Sequence, residues 1–150
     1  MHKLWLVGGG SGQPDYLLPL AKQVLEQADC VIASERFLKL AAGKKQIPMK
    51  QLSALLEQLP TLLQTDSVAI LVSGDPLLYS FYRTVRNRYP DWEITVIPGV
   101  GSLQLLGAKF ALTMKDAFIS SLHGKPYTAG SIACAVAQHA LTFFFCSAKD

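Results

Sequence analysis

Three predicted strands each end at a glycine-containing loop that leads into a helical pattern, and this arrangement limits the possible folds most strongly. The run Val68–Val72 is continuously apolar, which is typical of a strand covered on both faces. A shorter apolar run at residues 4–7 and a predicted strand at residues 93–97 precede the loops at residues 8–12 and 98–101. Strands that alternate with helices imply right-handed crossovers. We therefore predict an α/β fold with a mostly parallel sheet.

The spacing of apolar residues predicts the helices between these strands. One helix begins at Pro14, and its buried face is predicted to carry Leu17, Leu20, Ala21, Val24 and Ala28. Another covers residues 52–63, where Pro60 should end or kink it. Further elements are expected as a strand at residues 30–33 and as helices at residues 35–42, 76–89 and 102–110.

The pattern changes after Thr113. The remaining chain is predicted to contain a strand, a turn, a small helix and a second strand, at residues 117–122, 123–126, 130–139 and 141–146. We therefore predict an N-terminal α/β domain at residues 1–113. Residues 114–150 are predicted to be the beginning of a second, smaller α/β domain, because they are too few for a complete one.

The composition excludes several classes of protein. Half of the 150 residues are apolar and 17% are charged, which is typical of a globular chain. No apolar run approaches the ~18 residues of a membrane-spanning helix, so no membrane association is expected. The three cysteines, Cys30, Cys134 and Cys146, have no Cys-x-x-Cys spacing. We therefore expect neither a disulfide framework nor a metal site, and a cytoplasmic location.

The charge is unevenly distributed along the chain. A net charge of +3 is too small to indicate nucleic-acid binding. Five basic residues and no acidic ones lie between Arg36 and Lys50, and three arginines lie between Arg83 and Arg88. A solvated helix face and a site for a polyanionic ligand both account for such groups.

The loops that follow the predicted strands are the places for a ligand, because open parallel sheets bind ligands at the carboxyl ends of their strands. The glycines at residues 8–12 permit close backbone approach, or simply a sharp turn. They match the dinucleotide fingerprint poorly, since Gln13 stands where glycine or alanine is needed. Asp75 followed by Pro76 is a good helix start, and Asp75 could also face a polar ligand. Ser102 is a further candidate helix cap.

Three segments resemble, in order and spacing, the motifs of the tetrapyrrole methylases. They are Val-Gly-Gly-Gly-Ser-Gly-Gln-Pro-Asp-Tyr-Leu at residues 7–17, Val-Ser-Gly-Asp-Pro-Leu-Leu-Tyr at 72–79 and Ile-Pro-Gly-Val-Gly-Ser-Leu-Gln at 97–104. Members of that family use S-adenosylmethionine to methylate corrin and porphyrin precursors. Within it, Ser-Ser-Leu-His-Gly-Lys at residues 120–125 is most similar to the cobalt-precorrin-7 C5-methyltransferases of cobalamin synthesis and to the C5-methylating domain of precorrin-6Y methyltransferase.

The resemblance implies a site for S-adenosylmethionine in the three loops. The carboxylate of the donor suits helix N-terminal amides, and its ammonium and ribose suit Asp75. Ser11 and Gly101 differ from the residues that are common in the family. At these two positions, the resemblance therefore implies contacts through the backbone rather than through side chains. The sulfonium already activates the methyl group, so no catalytic side chain and no metal are expected. The implied donor-binding residues are Gly10, Ser11, Gly74, Asp75, Pro76, Leu78, Tyr79, Gly99, Val100, Gly101 and Ser102.

The resemblance also implies a corrin-type substrate that carries several carboxylates. His123, Lys44 and Lys45 are the candidate substrate contacts, although each is also compatible with an ordinary place in a surface turn. A homodimer is expected by the same resemblance. Two other functions stay open, namely a nucleotide-cofactor-binding domain of Rossmann type and a non-catalytic remnant of a methylase. The first fits poorly because no acidic residue closes the second strand.

Overall fold

A computed structural model describes residues 2–122 and 127–146 of the chain. The chain divides into two compact units, Met1–Ser102 and Leu103–Asp150. Each unit contains a parallel sheet and helices, which confirms the predicted α/β class. The domain boundary predicted at residue 113 stays a prediction.

The first unit is built on five parallel strands in the order β3-β2-β4-β1-β5. Each residue of β1, β2 and β4 is buried, because these strands occupy the middle of the sheet and both of their faces are covered. Strands β3 and β5 form the edges and are partly exposed. The strands are β1 Leu4–Gly8, β2 Cys30–Ala33, β3 Lys45–Pro48, β4 Val68–Val72 and β5 Ile94–Ile97.

Helices cover both faces of this sheet. One apolar cluster joins α1 and α2 to the face that carries Trp5 and Val7, and Phe37 of α2 is 1% exposed within it. The other cluster joins α3 and α4 to the opposite face, which carries Leu6 and Ile70. The helices of the unit are α1 Pro19–Gln27, α2 Glu35–Leu38, α3 Leu52–Thr65, α4 Tyr82–Arg88 and the start of α5 Ser102–Phe110.

The single helix predicted from Pro14 is wrong in its first part. Pro14–Tyr16 forms a short 3-10 turn, and α1 begins only at Pro19. A proline disfavours the helical conformation of the residue before it, so Leu18 is extended, with a ψ of 145°. Leu20 is 51% exposed rather than buried. The other residues predicted for the buried face are buried, namely Leu17, Ala21, Val24 and Ala28.

Helix α3 runs through Pro60, although the sequence predicted an end or a kink there. A proline at this position cannot donate a hydrogen bond to the carbonyl of Leu56, four residues earlier. The hydroxyl of Tyr89 donates to that carbonyl instead. A tertiary contact thus satisfies the backbone group that the proline leaves without its helical partner.

Arg86 fastens the turn that connects α4 to β5. Its Nη1 donates to the carbonyl oxygens of Pro90 at 2.8 Å and Trp92 at 2.9 Å. Its Nε donates to the hydroxyl of Tyr82 at 3.3 Å. Arg86, one of the three clustered arginines, therefore uses its side chain to hold the fold together and is not free to bind a polyanion.

The second unit contains the predicted strand, helix and strand. Strand β6 (Phe118–Ser121) pairs in parallel with β7 (Thr142–Phe145), and α6 (Ala129–Gln138) connects them. Thr128 caps α6 by accepting a hydrogen bond from the amide of Ser131 at 3.1 Å, within a capping box. The turn predicted at residues 123–126 lies outside the described residues. None of the helices in the described ranges is long and apolar enough to cross a membrane.

Candidate functional site

The three glycine loops meet at the carboxyl ends of the strands of the first sheet, because the strands that they follow are neighbours. Strand β1 pairs with β4 on one side and with β5 on the other. Gly8 is opposite Val72, and Val7 is opposite Ile97, so the three strands end at the same level. The predicted convergence of the loops is confirmed.

Gly10 and Gly74 join the first loop to the second. The amide of Gly74 donates to the carbonyl of Gly10 at 2.8 Å, and the amide of Gly10 donates to the carbonyl of Gly74 at 3.3 Å. Both residues have a positive φ, +58° for Gly10 and +63° for Gly74, which other residues adopt only with strain. The two loops therefore form a small antiparallel bridge that requires glycine on both sides.

Gly8 and Gly99 bring the first and third loops into backbone contact. A Cβ atom on Gly8 would lie 2.5 Å from the Cα of Gly99 and 2.7 Å from the carbonyl oxygen of Gly74. A Cβ atom on Gly99 would overlap the same oxygen. The sequence analysis did not single out Gly8, since nothing in one strand indicates how closely a distant loop will approach it.

Asp75 ties the second loop to the third. One carboxylate oxygen accepts a hydrogen bond from the amide of Leu77 at 2.7 Å, and the other accepts one from the amide of Gly99 at 3.1 Å. The predicted helix start at Asp75 and Pro76 is wrong, because α4 begins at Tyr82. Asp75 therefore closes a turn and clamps two loops, and its carboxylate keeps lone pairs for a ligand.

The other predicted donor-binding residues surround this clamp with varied exposure. Ser11 and Ser102 are exposed, and Ser102 is the first residue of α5 rather than its cap. Tyr79 is 47% exposed and has a φ of +48°, which is uncommon for a residue with a side chain. The remaining members are buried or half-buried, namely Pro76, Leu78, Val100 and Gly101.

A cleft of about 360 Å³ lies beside the second loop, at the carboxyl ends of β2 and β4. Apolar and aromatic walls are combined there with hydroxyl groups that can donate or accept hydrogen bonds. The sequence analysis missed it because its residues come from four separate segments. Among them are Ser34, Phe37, Ser73, Ser80, Phe81 and Thr84.

The structure does not bring Lys44 and Lys45 to the three loops. Lys45 is the first residue of β3, a strand that the sequence analysis missed, and it pairs with Cys30 at the amino end of β2. Lys44 precedes it, and its Nζ donates to the backbone carbonyl of Glu26. The three loops follow the carboxyl ends of the strands, which are at the other end of the sheet from Lys45. Substrate binding by these lysines stays a prediction, and this placement does not support it.

Two further predictions concern His123 and the absence of a metal site. His123 lies outside the described residues. Within the described ranges, no group of three or more His, Cys, Asp or Glu side chains is close enough to hold a metal ion.

Lys45, which lies far from the three loops, forms an ion pair with Asp66. The distance between its Nζ and one carboxylate oxygen is 2.6 Å. The hydrogen bond that the Lys45 ammonium donates to the Asp66 carboxylate is the main cause that raises the pKa of Lys45 above 10.5. A raised folded-state pKa stabilises the protein fully below pH 10.5, and this stabilisation is lost as pH rises through the folded-state value.

We expect Lys45→Gln to flatten the alkaline fall in Tm, measured by circular dichroism between about pH 9.5 and 11.5. The effect is small because the Lys45 side chain is 55% exposed. Lys50→Gln, at another exposed lysine of the same basic run, should leave the alkaline fall unchanged. An equal alkaline fall in the Lys45 variant and the parent would show that the pair contributes nothing in solution.

A parallel sheet with three interlocked loops at the carboxyl ends of its strands is an α/β fold with the usual place for a ligand. The family model of the Tetrapyrrole (Corrin/Porphyrin) Methylases matches residues 3–146, so the chain belongs to that family. It is 30% identical over 128 residues to a probable cobalt-precorrin-7 C(5)-methyltransferase of Methanocaldococcus jannaschii, which covers 81% of this chain and 61% of the relative.

A second curated relative and a solved structure are also similar to this chain. A cobalt-precorrin-7 C(5)-methyltransferase of Salmonella typhimurium is 26% identical over 125 residues, covering 81% of this chain and 62% of the relative. The crystal structure of a precorrin-6Y methylase from Archaeoglobus fulgidus superposes with a TM-score of 0.72 at 22% identity, over 83% of this chain and 67% of that one. The chain spans about three fifths of the length of the curated relatives it matches.

Proposed function

We propose that the protein acts as an S-adenosylmethionine-dependent C-methyltransferase on a corrin precursor, at C5 of a cobalt-precorrin-7-type macrocycle. The observation that carries this proposal is the meeting of the three family loops at one sheet edge, held together by Asp75. The names of the two curated relatives support the reaction and the substrate class.

The residues at the loops are suited to the methyl donor. A Cβ atom on Gly74 would meet only the Cα of Gly101 within 4 Å, at 3.5 Å, so the backbone there is open to a ligand. Helix α5 begins at Ser102, directly after the third loop, and a helix N-terminus favours the carboxylate of the donor. Asp75 supplies negative charge for the donor's ammonium group.

The protein's contribution to the reaction is alignment. S-adenosylmethionine, when bound, supplies a methyl group that its sulfonium already activates. The interlocked loops hold the donor-binding surface rigid, so that an acceptor carbon can be placed in line. Such positioning can lower a barrier by as much as ~7–11 kcal/mol, and it requires no nucleophilic side chain.

Calorimetry with S-adenosylhomocysteine tests the donor site. We expect saturable 1:1 binding, and Gly74→Ala should weaken it at least about tenfold, because a methyl group would cover backbone that the donor approaches. The matched control is Gly43→Ala. Gly43 also has a positive φ, +81°, but no atom lies within 4 Å of its Cβ position. Both variants therefore carry similar backbone strain, and only the first should lose affinity.

The outcomes separate the candidate functions. Equal affinity in the Gly74 variant and the parent would remove the loops from the donor site. No binding by the folded parent would favour the non-catalytic remnant, and NADH binding would favour the Rossmann-type alternative. Transfer of a labelled methyl group to cobalt-precorrin-7, but not to uroporphyrinogen III, would establish the substrate.

We propose further that the protein is cytoplasmic and forms a homodimer. The first proposal is based on the cysteine pattern of the sequence, and the second on the family resemblance. Analytical ultracentrifugation at micromolar concentration tests the dimer, and a single monomeric species would exclude it.

A further inference from the structure

Part of the basic run between Arg36 and Lys50 surrounds a cavity that the proposed function does not use. This cavity, of about 310 Å³, lies between α1 and the segment at residues 39–44. Its apolar wall includes Leu17 and Leu25, which are 6% and 3% exposed, together with Leu40. Positive charge lines the same cavity through Lys22, Lys39 and Lys44.

The charges around the cavity are not balanced. Glu26 is the only acidic residue among those that line it. Lys44 is half-buried, and its ammonium is held against the backbone carbonyl of Glu26 rather than paired with a carboxylate. Three cations and one anion give the lining a net charge of +2. A low-dielectric wall beside these charges strengthens their attraction for an anion.

Two other cavities of similar size lack this combination. The cleft at the ends of β2 and β4 has no charged residue in its lining. The cavity between β3 and α3 has a single one, Lys50. Apolar surface and several lysines therefore occur together at the α1 cavity and not at these two.

We propose that the α1 cavity binds a small, freely diffusing amphipathic carboxylate. The apolar body lies against Leu17, Leu25 and Leu40, and the carboxylate lies among the lysines. The volume is at the lower end of the range for small-molecule sites, which suits a medium-chain acid. The proposal does not depend on methyl transfer, because the cavity is formed by α1 and the chain before β3 alone.

Octanoate is the probe, and octanol is its neutral counterpart. In amide NMR spectra of the full chain, we expect octanoate to cause saturable shifts at Leu25, Leu40 and their neighbours. Octanol should bind several-fold more weakly, because it lacks the charge. The double variant Lys22→Gln/Lys39→Gln should weaken octanoate binding about fivefold at 50 mM salt. This difference should shrink at 500 mM salt, where the charges are screened.

The matched control is Lys50→Gln, which removes a lysine of the same basic run that does not line this cavity. It should bind octanoate as the parent does. Equal binding of octanoate and octanol, or an equal loss in the control and the double variant, would overturn the proposal. Shifts that never saturate would overturn it as well, as would binding to phosphatidylglycerol vesicles without binding of free octanoate.

Discussion

Gly99→Ala is expected to destabilise the first unit by more than about 3 kcal/mol, or to prevent its folding. The added methyl group would overlap the carbonyl oxygen of Gly74 and lie 2.7 Å from the Cα of Gly8. Both neighbours are backbone atoms of the buried sheet edge, so neither can turn aside as a side chain could. Urea unfolding followed by far-ultraviolet circular dichroism measures the effect.

Gly130→Ala is the control for this prediction. Gly130 lies in α6, and its Cβ position is 3.7 Å from the nearest atom, the hydroxyl of Thr128. The same chemical change should therefore raise stability there by about 0.4–1 kcal/mol. Near-equal effects at Gly99 and Gly130 would contradict the close contact of the loops.

Asp75→Asn is expected to lower both stability and donor affinity. The volume stays the same, but one carboxylate oxygen becomes an NH₂ group that faces a backbone N–H, of either Leu77 or Gly99. One charge-assisted hydrogen bond is lost and an amide is left without its partner. We expect a loss of about 2 kcal/mol in the free energy of unfolding. Calorimetry with S-adenosylhomocysteine, at a temperature where the variant is folded, should show at least about tenfold weaker binding.

Asp91→Asn removes a carboxylate from an exposed position and serves as the control. It should change neither stability nor affinity. An Asp75 variant with lower stability but unchanged affinity would make Asp75 a purely structural clamp. Unchanged stability would instead show that the clamp contributes nothing to holding the loops together.

The meeting of the three loops could be predicted because it depends on local patterns and one general rule. The continuous apolar run Val68–Val72 and the glycines after each strand are visible in the sequence. Carboxyl ends of adjacent parallel strands meet at one edge, which makes loops that are distant along the chain neighbours in space. The role of Asp75 could not be predicted from the sequence. A helix cap and a side chain that joins two loops by hydrogen bonds need the same type of residue.

Lys44 and Lys45 show more clearly what could not be predicted from the sequence. The sequence shows that positive charge is concentrated between Arg36 and Lys50, but it does not show at which edge of the sheet that charge lies. Lys45–Pro48 carries no apolar run, so nothing local marks it as a strand. It becomes β3 because β2 offers an open edge for parallel pairing.

The sequence by itself thus determined the class of fold, the burial of the strand Val68–Val72 and the three loops, since each follows from residue spacing and from glycine chemistry. Tertiary structure alone decided which atoms of these loops contact one another. It also decided at which end of the strands Lys44 and Lys45 lie. It also provided the Tyr89 hydroxyl for the Leu56 carbonyl, so that α3 continues through Pro60. Such features depend on contacts between residues far apart in the chain, which periodicity within a segment cannot encode.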